Sequence, residues 1–441
     1  MAQPYRLTAT QALALIRENK LTVESYARSL LSRIEYRDAT VKAWAYLNPE
    51  FVLEQARNLD AIPVEKRGPL HGLPVGIKDV IYTKDMPTEH NSPLYKDSVV
   101  PVDAAPVAVL RAAGALIFGK TTTTEFASTT AGPATCNPHD PTRTPGGSSS
   151  GSGAAVGDYQ VPIALGTQTG GSTIRPGSFN GIYALKPTWG AISREGLKVY
   201  SLILDTLGIF GRCVEDLELV LGVLGVSDDV EAGRKSFEGV KGAKFGVVKT
   251  IVWDKVGKGT IAAMEKAAEI LRSHGATIEE VELPPEFDNM PAWHAAIMAG
   301  DGRATFLPEY RVDKSKVAEF LVGHVENAQG YTRAQQLAAL DGVGFLRPRI
   351  DEIAGQYAAL ITPSVPDEAP VGIKGTGSAA FCSMWTVLHT PVVNVPGFQG
   401  ENGLPIGVSL VAPRFRDQHL LAVAKEIGEI FSDEGGWKSS L

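Results

Sequence analysis

Cysteine is nearly absent from this chain: Cys136, Cys213 and Cys382 are the only three in 441 residues. An odd count without metal-ligand spacing argues against a disulfide framework or a cysteine zinc site and fits a reducing compartment, with the thiols as buried apolar groups. Positive charge is also in short supply. The formal net charge is −7, and no dense run of Lys or Arg overrides it, so no nucleic-acid partner is expected. No run of about eighteen apolar residues exists to span a bilayer, and the opening MAQPYRLTATQAL lacks a basic stretch followed by an apolar one. The expectation is a cytoplasmic protein with no membrane partner. The final Lys438-Ser-Ser-Leu441 is not the SKL address of peroxisomes.

What is present is the composition of an ordinary globular protein, 44% hydrophobic and 21% charged. Length allows two or three domains, although α/β enzymes of this size often fold as one unit. Thr22 is placed to cap a helix bearing Tyr26, Ala27, Leu30, Leu31 and Ile34 on one face, and the first sixty residues read as largely helical. The stretch from His71 to Val80 then reads as a short apolar strand ending in Lys78. Val107 to Gly114 is predicted as a helix, and Ala115 to Phe118 as a buried strand closed by Gly119 and Lys120. A loop rich in Pro, Thr and Gly runs from Gly132 to Gly153, followed by an apolar segment, Val161 to Leu165, and a second glycine-rich turn from Gly166 to Gly171. Further strands are expected at 244–248, 357–361, 391–395 and 406–410, with helices at 261–273, 318–327 and 332–340. This alternation favours a sheet covered by helices.

The two glycine-rich loops are where chemistry is to be sought. Pro145-Gly-Gly-Ser148-Ser149-Ser150-Gly-Ser152-Gly153 has the composition of a linker or a phosphate cradle, but it runs into small residues able to pack as a helix and lacks the Gly-Lys-Ser/Thr ending of a phosphate loop. Linker and catalytic readings of it stand about even. The second loop, Gly166-Thr-Gln168-Thr-Gly170-Gly171-Ser172-Thr-Ile-Arg175, follows an apolar strand, and consecutive glycines let successive N–H groups converge on a developing oxyanion. A serine there needs a base. None of the eight histidines supplies a recognisable partner: His71, His90 and His139 lie in loops, and His274, His294 and His324 fall in helical or solvated contexts. A lysine can serve if burial keeps it neutral, and Lys78 ends an apolar strand; a solvated strand-end lysine is the competing reading.

Gly-Leu-Pro-Val-Gly-Ile-Lys78-Asp, the Gly-Gly-Ser-Ser-Ser-Gly-Ser loop, Gly166 to Pro176, and Gly181-Ile-Tyr-Ala-Leu-Lys186-Pro-Thr188 together resemble the amidase signature family. The resemblance spans nearly the whole chain, because Gly119 to Phe126, Asp205-Thr-Leu-Gly208 and Gly403-Leu-Pro-Ile-Gly407 also match. It implies an α/β amidase signature fold, with a mixed central β-sheet sandwiched between helices, as a single domain over 1–441. Core is expected at 60–226 and 343–435, and a more polar, partly helical cap at 227–342.

The resemblance further implies a Ser-cisSer-Lys triad with Ser172 as nucleophile, Ser148 as the bridging serine and Lys78 as base. Backbone donors to the oxyanion would be Thr169, Gly170, Gly171 and Ser172. Such an enzyme hydrolyses a small-molecule amide through an acyl-enzyme, releasing ammonia or an amine, with no metal or organic cofactor; a homodimer is compatible with the pattern. Arg175, three residues past Ser172, is similar in spacing to malonamidase-type members, in which the arginine grips a substrate carboxylate; an internal ion pair is the equal alternative. Ser149 is a candidate substrate contact, with a turn role for it and Ser150 as the alternative. Gln168 departs from the aspartate common in the family and suggests a loop tied by neutral hydrogen bonds. Asp205, Lys186, Trp385, Phe381 and His389 are expected to be structural. Carbamate, aryl amide and ester hydrolysis stay open. An amidotransferase component that works in a complex is the alternative of another class, disfavoured by the acidic charge and the lack of an evident tRNA-binding appendage, and intact Lys78, Ser148 and Ser172 argue against a silent binding protein.

Overall fold

The computed structural model describes residues 3–228 and 237–441, so residues 229–236, near the start of the expected cap, lie outside the described residues. Eleven described strands form one sheet: β1 (Trp44–Tyr46), β2 (Pro74–Lys78), β3 (Leu116–Thr121), β4 (Ile163–Gln168), β5 (Tyr183–Lys186), β6 (Thr206–Gly211), β7 (Lys244–Val248), β8 (Thr277–Val281), β9 (Ala359–Pro363), β10 (Val392–Gln399) and β11 (Pro405–Val411). Their order is β1-β3-β2-β4-β6-β5-β10-β11-β9-β7-β8. The sheet is mixed. β2 runs parallel to β3 and β4, and β7 parallel to β8 and β9, whereas β4–β6, β6–β5, β5–β10, β10–β11 and β11–β9 are antiparallel. Its central strands are buried along their length, as strands covered by helices on both faces must be.

Several local signals act as the residue types dictate. Thr22 caps the helix Val23–Val41 by accepting a hydrogen bond from the Ser25 amide. The strand expected to close at Gly119 runs on to Thr121. It can do so because Lys120, wholly buried, pairs with Asp79 at 3.1 Å and donates to Thr88 Oγ1 at 2.5 Å. The helix begun after Thr332 continues through Pro348 to Ala354, so residue 343 lies within it. Within 227–342, β7 and β8 extend the sheet, and the helix Met290–Thr305 packs against Arg333–Ala354 and Ala380–Val387.

The serine-glycine stretch is not a linker. From Ser150 to Gly157 it is a buried helix packed on β2, β3 and β4. Glycine permits that contact: a Cβ at Gly151 would stand 2.1 Å from the Ala43 carbonyl oxygen and 2.4 Å from the Thr122 amide nitrogen. Ser152 Oγ lies 2.7 Å from Thr121 Oγ1 and donates to the Leu165 carbonyl at 2.9 Å, bolting the helix to β3 and β4.

At the far end of this helix, the fully buried Asp158 accepts from Arg33 and Arg37, each at 2.9 Å, and from Gln160 Nε2 at 2.9 Å. This joins the N-terminal helices to the sheet. Removing one partner of a buried ion pair leaves the other charge stranded, which typically costs about 3–5 kcal/mol. Asp158→Ala is therefore expected to lose about that much stability, read as a lowered urea midpoint at unchanged slope; a loss below about 1 kcal/mol would contradict the role given to this cluster.

Candidate active site

Because β2 and β4 are parallel neighbours, their carboxyl ends open on the same side, and open α/β sheets place ligand sites there. Lys78 is the last residue of β2, and the loop from Thr169 to Thr173 leaves the end of β4. The serine helix points its first turn between them. Ser148 is thereby brought to Lys78, whose Nζ donates to Ser148 Oγ and to Thr167 Oγ1, both at 2.7 Å. The Gly147–Ser148 peptide bond is cis.

Lys78 is fully buried, and burial pushes its amine well below the usual lysine range. Asp205 opposes the shift from a distance and Arg175 adds to it. Among the described residues no carboxylate is within ion-pair distance of Lys78, so its two close neighbours are hydroxyls. Ser172 is also buried, but its hydroxyl makes no hydrogen bond to Ser148 or Lys78 among the described residues. The geometry thus closes the Lys78–Ser148 link and leaves the Ser148–Ser172 link unmade.

The remaining serines of the first loop are spent on structure. Ser149, a candidate substrate contact from sequence, is completely buried; its hydroxyl donates to the Thr167 carbonyl at 3.2 Å and accepts from the Thr167 amide at 3.3 Å. These two bonds brace the loop on β4. Ser150 Oγ donates to the Gly146 carbonyl at 2.8 Å.

In the second loop the N–H groups of Thr169, Gly170, Gly171 and Ser172 donate to no backbone acceptor among the described residues. Gly171 packs closely: a Cβ there would stand 3.0 Å from the Cβ atoms of both Ala379 and Cys382, which would have to give way. Gln168 ties the loop with neutral hydrogen bonds. Its Oε1 accepts from the Thr173 and Ile174 amides at 2.9 and 3.0 Å, and its Nε2 donates to Thr386 Oγ1 at 3.0 Å. Asp205 accepts from Thr169 Oγ1 and from the Tyr200 amide, each at 2.6 Å, and burial pushes its carboxyl up to about 6.

Arg175 is buried, and burial lowers its guanidinium to about 10. It is not ion-paired among the described residues, contrary to one of the two roles weighed for it. It donates instead to the Gly377 carbonyl at 2.8 Å, to Thr376 Oγ1 at 3.3 Å and to the Gly147 carbonyl, and its Nε–H has no partner. The carbonyl it holds belongs to the peptide that carries Ser148.

Residues expected to be structural are so placed. Lys186 Nζ donates to the Pro187 and Thr390 carbonyls, His389 Nε2 meets the Ile203 carbonyl at 2.6 Å, and Trp385 and Phe381 are core side chains. Three site residues escaped the sequence reading. Thr167 was signalled only by strand alternation, two positions before Thr169. His294 and Thr386 come from distant helices to meet the carbonyls of Thr169 and Gly170, at 3.1 and 2.7 Å, and nothing local in the sequence marks them. His294 is thus on a helix, as expected, and half-buried at the site.

Among the described residues no helix is long and apolar enough to cross a membrane. The family model described as Amidase matches residues 26–421. A glutamyl-tRNA(Gln) amidotransferase subunit of Symbiobacterium thermophilum is 34% identical, covering 95% of each chain. Among solved structures, a glutamyl-tRNA(Gln) amidotransferase subunit of Thermotoga maritima superposes with a TM-score of 0.80 at 28% identity, covering 96% of this chain and 94% of that one. The native peptide amidase of Stenotrophomonas maltophilia does so with a TM-score of 0.79 at 26% identity, covering 98% of each. The chain belongs to the amidase family, enzymes that act on amide carbon–nitrogen bonds.

Proposed function

We propose that this protein is an amidohydrolase of small amides, with Ser172 as nucleophile, Lys78 as base and Ser148 as the proton bridge between them. The observation that carries the reading is the state of Lys78: buried, without a carboxylate in contact among the described residues, and hydrogen-bonded to the Ser148 hydroxyl. A charged ammonium there lacks the solvent that would stabilise it and, among the described residues, a counter-ion, so burial favours the neutral amine, whose lone pair is free to take the Ser148 proton when the relay runs. Ser148 in turn takes the proton of Ser172 as Ser172 Oγ attacks the amide carbon. The oxyanion accepts from the free N–H groups of residues 169–172. The proton returns through Ser148 to the leaving nitrogen, the C–N bond breaks, and an ester on Ser172 remains. Water then attacks that ester, delivers its proton along the same route, and the acid departs with Ser172 restored.

The substrate of this reading carries a carboxylate. Arg175 supplies the reason: a buried cation with no anion beside it among the described residues and an unpartnered Nε–H is suited to a planar anion. A second reading, that the chain is the amide-cleaving component of an amidotransferase, is favoured by the printed name of the 30–34% identical relatives. The chemistry at Ser172 would be the same in both. Ammonia release by the purified chain alone favours the hydrolase; activity appearing only with a co-purifying partner protein favours the other.

Three outcomes are expected. Ser172→Ala and Lys78→Ala should each lower kcat/KM for amide hydrolysis by at least about 10³-fold, and full activity in either variant would refute the relay. Because burial lowers the Lys78 pKa and the working form is neutral, kcat/KM should fall as pH drops, by about tenfold per unit below the controlling pKa. Asp205 and Arg175 face the same amine, so that limb reports the group, and a rate that rises on acidification would contradict the sign. Finally, Arg175→Ala should lose about ten- to a hundredfold more on malonamate than on the isosteric neutral malonamide. Equal losses would leave Arg175 only its bracing of Gly147.

A further inference from the structure

We infer that His294 and Thr386 are positioning residues that aim the oxyanion-binding N–H groups from behind the loop. The inference rests on the reading of Ser172 as nucleophile with residues 169–172 as the oxyanion site. Its argument is the planarity of the peptide unit. In a trans peptide the carbonyl of one residue and the N–H of the next point in opposite directions, so fixing the carbonyl fixes the donor.

Three consecutive planes are fixed in this way. The Thr169 carbonyl accepts from His294 Nε2 at 3.1 Å, which sets Gly170 N–H. The Gly170 carbonyl accepts from Thr386 Oγ1 at 2.7 Å, which sets Gly171 N–H. The Gly171 carbonyl accepts from the Arg175 amide at 3.0 Å, in the first turn of the helix Ile174–Phe179, which sets Ser172 N–H. None of the three N–H groups so aimed is used by a backbone acceptor among the described residues. A loop with adjacent glycines has the freedom to lose this alignment, and the anchors come from two helices, Met290–Thr305 and Ala380–Val387, that pack against each other.

The proton directions are determined. A carbonyl only accepts, so His294 carries its hydrogen on Nε2, a donor that persists whether the ring is neutral or charged. Thr386 Oγ1 accepts from Gln168 Nε2 at 3.0 Å, which leaves its single hydrogen for a carbonyl, and of the two within reach the Gly170 oxygen at 2.7 Å is closer than the Cys382 oxygen at 3.3 Å. A carboxylate at position 168 would compete for that hydrogen; the amide present here cannot, because its oxygen is taken by the Thr173 and Ile174 amides.

The probe is an alkyl fluorophosphonate, which phosphonylates an activated serine with loss of fluoride while its phosphoryl oxygen occupies the oxyanion site. In Thr386→Val, which keeps the shape but not the hydroxyl, and His294→Phe, which keeps a ring but no donor, the labelling rate of Ser172 should fall about ten- to a hundredfold. Thr386→Ser and His294→Gln, which retain a donor, should recover most of it. The acid limb of the labelling rate should not move in any of the four, and their thermal midpoints should stay close to the native one. Labelling of Thr386→Val and His294→Phe at the native rate would overturn the inference, and so would a loss that Thr386→Ser fails to recover in a folded protein. Failure of the native protein to be labelled at Ser172, or equal labelling of Ser172→Ala, would instead sink the nucleophile assignment and this inference with it.

Discussion

The proposed relay requires Lys78 to be buried without being neutralised by an acid, and much of the surrounding structure is compatible with that condition. Its strand lies inside the sheet, between β3 and β4. The face above it is closed by a helix of serine, glycine and alanine that packs close because its glycines remove the atoms that would hold it off. The same burial that depresses the amine's pKa is produced by the contact that delivers Ser148 to it. Weakening the helix contact would hydrate the lysine and lengthen its bond to the serine together.

Two other buried lysines act as internal controls. Lys120, on the adjacent strand, is paired with Asp79 at 3.1 Å, so its ammonium has a fixed counter-ion and a structural task. Lys186, lowered by burial to about 7, is held by the carbonyls of Pro187 and Thr390. Carbonyls accept and never donate, so they have no proton to give to an amine lone pair. The close partners of Lys78 are hydroxyls, which both accept and donate. Burial alone therefore does not single out a base; the kind of partner does.

The parts of this arrangement that sequence exposes are those set by local rules. Thr22 as a cap, the strand ending in Lys78 and the apolar β10–β11 pair follow from capping and periodicity. The mixed sheet and the loop residues came from the resemblance of whole motifs. Composition misled where packing overrode it. Ser150 to Gly153 has the make-up of a flexible tether yet forms a packed helix, because glycine serves close approach as readily as flexibility. Gly119 and Lys120 looked like the end of a strand, but Asp79 makes it possible to bury the lysine, and β3 continues. His294 and Thr386 were beyond reach for a different reason. They meet the loop at residues 169 and 170 from about 120 and 220 positions away along the chain, and no periodicity specifies which face of a helix meets which carbonyl across a sheet.

The formal charges acting on Lys78 are few and of both signs. With Lys78 neutral, the nearby formal charges are the Arg175 guanidinium and the Asp205 carboxyl, whose raised pKa of about 6 leaves it mostly ionised above that pH. These roughly cancel. Gln168 makes its hydrogen bonds to Thr173 and Ile174 without adding a further charge to the loop. A substrate carboxylate bound at Arg175 would add negative charge at a later moment. It would raise the proton affinity of Lys78 when a proton must be drawn from Ser172, and would offset the repulsion that Arg175 exerts on the ammonium then formed. A buried Arg175 guanidinium with no anion beside it among the described residues is costly in the free protein, and the binding of an anion relieves that cost.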